Sequence, residues 1–228
     1  MKRLGMGLEC GYICMLLLKR SKYREKMDKK YFTCADRAVE YLTDADPLLG
    51  AHMERIGRIE RSMTPDLFEG LAGSIVGQQI SGKAADTVSG RIRGLVGRVT
   101  PGNIMAADPS ALQKCGISMR KTSYIRSAAE AFLDGTVPVT RLLEMDDEDV
   151  IALLDALPGV GRWTAEMLLI FSLGRQNILA YDDLGIRKGI MKVYGMETVT
   201  RPAFERLREI YSPYGSTASL YLWHIASE

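Results

Sequence analysis

Two features of this chain could do chemistry. The string Leu157-Pro158-Gly159-Val160-Gly161-Arg162-Trp163-Thr164-Ala165 lies between two apolar helical patterns, and twenty residues past Trp163 a carboxylate, Asp183, stands just ahead of a further helical segment. Gly159 and Gly161 have no side chains, so the backbone amides that open the second helix can approach an oxyanion directly, as helix N-termini do. A phosphate held this way is bound without regard to base sequence. The same string would also make an ordinary αα-hairpin whose glycines only form the turn. Asp183 reads either as an N-cap for Leu184 to Val193 or as a carboxylate placed for chemistry. The two roles are compatible, because capping would fix its orientation.

The elements that must position these residues are helices. Asp146 to Asp149 give an acidic first turn, and Val150, Ile151, Leu154 and Leu157 follow at helical spacing. Pro158 and Gly159 are expected to end that helix. The second helix is expected from Arg162 to about Leu173, and Ala165, Met167, Leu168, Leu169, Ile170 and Phe171 surround its axis, so it should be mostly buried. Earlier in the chain, Thr64 with Pro65 predicts a capped helix carrying Phe68, Leu71 and Ile75 on one face. Asp108-Pro109 repeats the device, Gly116 ends that helix and Ser118 starts another. No run alternates for the length of a strand, so the expected fold is all-α.

Composition sets outer bounds. The 228 residues are 46% hydrophobic, enough for a substantial core in one or two small domains. The formal charge of +2 does not by itself argue for nucleic acid. Residues 1–30 hold nine Lys or Arg against three acids, which leaves 21 basic against 25 acidic in the rest. DNA binding would therefore need a local positive surface plus backbone amides. Cysteines 10, 14, 34 and 115 are scattered, read as free thiols suited to a reducing cytoplasm, and do not build a C-terminal iron-sulfur cluster. His52 and His224 make no metal motif, so neither a metal nor another cofactor is expected. Cys10 to Leu18 is an apolar run too short to span a bilayer, followed by the basic Lys19, Arg20, Lys22, Arg24 and Lys26. No small-residue cleavage site follows it. Residues 1–26 are therefore read as an extension to the fold rather than a secretion signal, and no membrane association is expected.

Gly77-Gln78-Gln79-Ile80-Ser81-Gly82-Lys83-Ala84 approaches the phosphate-loop pattern, but Ala84 replaces the hydroxyl that would hold magnesium. The residues before it also read as helix. Together, 157–165, Asp183, Ile75-Val76-Gly77-Gln78-Gln79-Ile80-Ser81, Gly116-Ile117-Ser118 with Lys121 and Tyr124-Ile125-Arg126, and Pro213-Tyr214-Gly215-Ser216 through Tyr221-Leu222-Trp223 resemble the helix-hairpin-helix superfamily of DNA glycosylases. Within it they resemble the 3-methyladenine DNA glycosylase II branch. The resemblance runs from about residue 31 to the end and implies two helical lobes with an active cleft between them. The central lobe would be 67–175, with the hairpin at 146–173; 27–66 and 176–228 would form the other.

What the resemblance implies for single residues is more pointed. Asp183 falls on the catalytic position, Trp163 and Trp223 on positions of the base pocket, and Gln79 on the wedge, placed on a helix facing the minor groove. Gly159, Gly161 and Thr164 belong to the DNA-binding hairpin. The implied reaction is hydrolytic excision of an alkylated purine such as 3-methyladenine from double-stranded DNA by a monomer. A cationic base needs no proton to leave, and an aromatic face attracts it. Trp163 stands where strand-cleaving relatives carry a Schiff-base lysine, which implies a monofunctional enzyme. A mismatch uracil or thymine glycosylase on the same fold, or a non-catalytic DNA-binding scaffold, remain alternatives at this point. Met167 and His224 stand where the best-known branch is aromatic.

Overall fold

A computed structural model describes residues 31–228; the extension expected over 1–26 lies outside the described residues. Twelve helices follow one another: α1 (Asp36–Ala45), α2 (Pro47–Ile56), α3 (Leu67–Gly77), α4 (Gly82–Val96), α5 (Pro101–Ala106), α6 (Pro109–Lys114), α7 (Met119–Leu133), α8 (Asp147–Asp155), α9 (Arg162–Phe171), α10 (Leu184–Tyr194), α11 (Arg201–Tyr211) and α12 (Gly215–Ser227). The expectation of no strand needs a small correction. Tyr31–Thr33 (β1) pairs antiparallel with Glu60–Ser62 (β2), Phe32 opposite Arg61. Three residues a side are too few for alternation to register in a sequence.

The helix starts follow local chemistry, with one shift. Asp108 and Ser118 cap α6 and α7 as expected. The cap of α3 is Asp66 instead of Thr64: its Oδ1 accepts the Glu69 amide at 3.0 Å. Thr64 lies two residues before that cap, and its amide donates to the Phe171 carbonyl at 2.9 Å. The first hairpin helix, α8, stops at Asp155. Leu157 lies beyond it, before a proline, where helical backbone is disfavoured.

Packing sorts these helices into two sets. Helices α3 to α9 pack among themselves, chiefly α5 and α6 on α7, α7 and α4 on α3, and α8 and α3 on α9. The remaining helices, α1, α2, α10, α11 and α12, pack together, most extensively α10 on α12. Asp46 ties this second set together. Its Oδ1 caps α2 through the amides of Leu48 and Leu49, while Oδ2 accepts the hydroxyls of Tyr194 on α10 and Tyr211 on α11. Burial first, with the Asp46 carboxylate adding to it, pushes both phenols above their ordinary pKa, so they stay neutral donors. Ser216 anchors the start of α12 to the chain leaving α9: its Oγ donates to the Arg175 carbonyl at 2.7 Å and accepts the Ile178 amide at 3.0 Å. That is the structural use of the Pro213-to-Ser216 motif.

Candidate active site

Asp183 is the N-cap of α10 and is almost fully buried, at 7% exposure. Three N–H groups converge on its carboxylate. Oδ1 accepts the Ile186 amide and the Trp223 indole Nε1–H, each at 2.8 Å, and Oδ2 accepts the Trp163 indole Nε1–H at 2.8 Å. All three contacts are donated to the acid, the pattern an ionised carboxylate takes. The two indoles come from different packing sets, Trp163 from the first turn of α9 and Trp223 from α12. The three residues singled out from the sequence for catalysis and the pocket thus meet in one cluster. The tryptophan contacts were not foreseen: the sequence suggested ring faces, and the structure adds N–H edges gripping the acid.

Two glycines make room for this. A Cβ at Gly185 would lie 2.7 Å from Trp223 Cδ1 and 3.1 Å from Asp183 Oδ1. One turn further along α10, a Cβ at Gly189 would lie 2.3 Å from the Leu222 carbonyl oxygen. The missing side chains let α12 lie close on α10 and bring the indole edge to the carboxylate. Behind it, the Phe171 ring stacks on Trp223 with centroids 5.8 Å apart and planes at 29°. Trp163 is 46% exposed, so part of its ring is open to a ligand while its N–H faces the acid.

The hairpin is built as its glycines require. Gly159 has φ +80°, a left-handed conformation, and a Cβ there would run into the Tyr124 ring. Gly161 is the N-cap of α9; no side chain caps this helix, and nothing lies within 4 Å of where a Cβ would project. Its first amides are open to an anion. The Thr164 side chain, at 7% exposure, points inward, so this residue offers an external ligand only its backbone. Arg162 fastens the two hairpin helices, with Nη2 2.7 Å from Glu148 and Nε 3.3 Å from Glu166.

Gln79 requires a correction. It is exposed, but it does not sit on a helix: α3 ends at Gly77, and Gln79 occupies the turn before α4 with φ +60°. Lys121 satisfies the helix end there, its ammonium donating to the carbonyls of Val76 at 2.9 Å and Gln78 at 2.6 Å. The rest of that motif is structural. Ser118 caps α7, Tyr124 packs under Gly159, and Arg126 Nη1 donates to the carbonyls of Ile104, Met105 and Ala107. Asp182, next to the buried acid, is exposed; His224 is exposed and Met167 partly buried. Among the described residues, Cys34 and Cys115 are buried free thiols, and no helix is long and apolar enough to cross a membrane.

A family described as HhH-GPD superfamily base excision DNA repair protein matches residues 72–213. The DNA-3-methyladenine glycosylase 1 of Schizosaccharomyces pombe is 34% identical over 172 residues, covering 73% of this chain and 75% of that protein. A crystal structure of a DNA-3-methyladenine glycosidase from Bacillus halodurans superposes with a TM-score of 0.78 at 34% identity, over 86% of this chain and 92% of that one. The S. pombe 3-methyladenine DNA glycosylase in complex with abasic DNA superposes with a TM-score of 0.72 at 32% identity, over 82% and 95%.

Proposed function

The chain belongs to the HhH-GPD superfamily of base excision DNA repair proteins, and from that premise we propose that it is a monofunctional DNA-3-methyladenine glycosylase of type II. It hydrolyses the bond joining an alkylated purine to deoxyribose. The observation that carries this reading is the buried Asp183 carboxylate held between two indole N–H groups.

The sequence of events follows from the residues. Backbone amides at the start of α9 bind a phosphate beside the lesion, without reading sequence. The damaged nucleotide leaves the stack, at a cost of a few kcal/mol, and its base enters against Trp163 and Trp223. A 3-methylated purine carries positive charge and is drawn to the electron-rich ring faces by about 0.5–2 kcal/mol. As the C1′–N bond breaks, the bonding electrons neutralise the purine and positive charge develops on the sugar. The ionised Asp183 stabilises that charge and takes a proton from the water that attacks C1′. Products are the free base and an abasic site. Trp163 has no amine with which to attack C1′, so no Schiff base forms and the backbone stays intact. The names of the relatives, and the abasic DNA bound in one of them, support this substrate class.

The test is release of free base from methylated duplex DNA by the unmodified chain and by Asp183→Asn. Release by the first and not the second is expected. Release only from uracil or thymine mismatches would point to the other substrate class, and no release from any substrate would sink the enzymatic reading.

A further inference from the structure

Gln79 is the only non-glycine residue with positive φ among the described residues. Such a conformation is costly for glutamine and persists only where its surroundings impose it. Three contacts do so. The Lys121 ammonium binds the Val76 carbonyl at 2.9 Å and the Gln78 carbonyl at 2.6 Å, gathering the end of α3 and the start of the turn. The Gln78 side chain then donates through Nε2 to the Gly159 carbonyl at 2.8 Å, fastening the turn to the hairpin.

Lys121 is an unexpected residue for this task. It sits three positions after the cap of α7, where the positive end of its own helix disfavours a cation, and it follows Arg120. Burial and that neighbour push its pKa down. It makes no ion pair among those of the described residues. What offsets these costs is the cluster of carbonyls at the C-terminus of α3, the negative end of that helix.

We propose that Lys121 and Gln78 are positioning residues for base extrusion: they hold the Gln79 turn in its strained shape and lock it to the Gly159–Gly161 hairpin, so that phosphate capture and insertion of Gln79 occur as one rigid movement. This rests on the glycosylase reading above. A loosened turn would still let DNA bind but would extrude the base poorly.

The experiment compares one alkylated purine in two duplexes, paired normally or set opposite an abasic site, where extrusion costs less because no pair must be broken. Single-turnover excision is measured for the unmodified chain, Lys121→Met, Gln79→Ala and the double variant. Lys121→Met is expected to lose tenfold or more on the paired lesion and under threefold on the unpaired one. The double variant should be no slower than Gln79→Ala, because both changes disable the same step. Gln78→Met, which keeps the Lys121 contacts, should show the same substrate pattern with a smaller loss, and serves if Lys121→Met folds poorly. Fluorescence of 2-aminopurine beside the lesion should fall in step with the loss of extrusion. Equal losses on the two duplexes, or additive losses in the double variant, would assign Lys121 to general stability and overturn the proposal. A chain that releases no base from either duplex in unmodified form overturns the glycosylase reading and this inference together; normal release that Lys121→Met leaves unchanged overturns only the inference.

Discussion

Helices α9 and α10 begin alike, each after an extended residue, Gly161 with ψ 169° and Asp183 with ψ 115°. Their first turns are then used in opposite ways. At α10 the cap residue satisfies the Ile186 amide and is itself satisfied by two indoles, so the cap is closed and its carboxylate buried. At α9 no side chain caps the helix, the Gly161 position opens on empty space, and the amides wait for a partner from outside. A free helix start costs about 1 kcal/mol relative to a capped one, and such a cost is tolerated where it leaves a site for an anion. The closed start instead holds its carboxylate in place with three N–H donors, as the proposed reaction requires. On the proposed reading the same local motif serves binding at α9 and chemistry at α10, and Trp163, in the open turn of α9 with its N–H on the Asp183 carboxylate, joins the two.

The largest effect is expected where the closed start loses its charge. An amide has a single acceptor oxygen, so in Asp183→Asn one of the two indole N–H groups must face an NH₂. The helix cap survives, because Asn caps about as well as Asp. Excision should fall by about a hundredfold or more while stability changes by about 1–2 kcal/mol, since the half-exposed Trp163 can turn its N–H to water. Melting and base release from methylated duplex, measured on the same preparation, test this. Asp182→Asn, on the exposed neighbour, should change neither.

Next comes crowding of the closed start. Gly185→Ala places a methyl 2.7 Å from a rigid indole ring, and overpacking of this kind costs roughly 1–3 kcal/mol. Because Trp223 must move off Asp183, excision should fall by about tenfold or more. A variant with normal excision would mean that the Trp223 contact is not needed for the reaction.

Closing the open start should separate stability from function. Gly161→Asp supplies the missing cap to α9 at a position whose φ of −109° suits any residue. Stability should rise by about 0.5 kcal/mol, from the cap and from the favourable charge at the helix start. Affinity for undamaged duplex should fall by about tenfold, because the new carboxylate takes the amides and repels phosphate. A stabilised variant that bound DNA normally would show that the hairpin is only a turn.

The contrast between the two helix starts was half legible in the sequence. Gly161 and Asp183 announced themselves because caps and their absence are local matters, decided within a few residues. The same locality explains the reading of Asp108 and Ser118, and the near miss at Thr64, two residues before Asp66, whose Oδ1 accepts the Glu69 amide. Gly185 could have been noticed two residues after the acid, yet nothing local says what its missing side chain avoids; the Trp223 ring arrives from thirty-eight residues downstream. The helix at Gln79 is implied by the family resemblance alone, and the residue that binds the carbonyls at the end of α3, Lys121, is likewise remote in sequence. That Trp163 and Trp223 belong with Asp183 was legible only through the family resemblance; their orientation, N–H edge toward the acid, was not.

The smallest effect concerns that orientation, and it separates the two things a tryptophan can do here. Trp223→Phe keeps an aromatic face but removes the N–H donated to Asp183 Oδ1, which retains the Ile186 amide. Loss of one hydrogen bond to a charged group is worth about 1.5–3 kcal/mol when fully buried and less at a partly buried edge, so a few-fold loss of excision is expected. The loss should be equal for a cationic alkylpurine and for neutral hypoxanthine, since both need the same carboxylate. Trp223→Ala removes the face as well, and the charge-to-ring attraction of about 0.5–2 kcal/mol is lost only for the cationic base, so the two substrates should now diverge. Excision rates on both substrates for both variants decide the matter. Divergence already in Trp223→Phe would mean that the indole acts through its face alone and that the hydrogen bond to Asp183 is incidental. Equal losses in Trp223→Ala would remove the cation from the recognition argument and leave the ring as packing against Phe171.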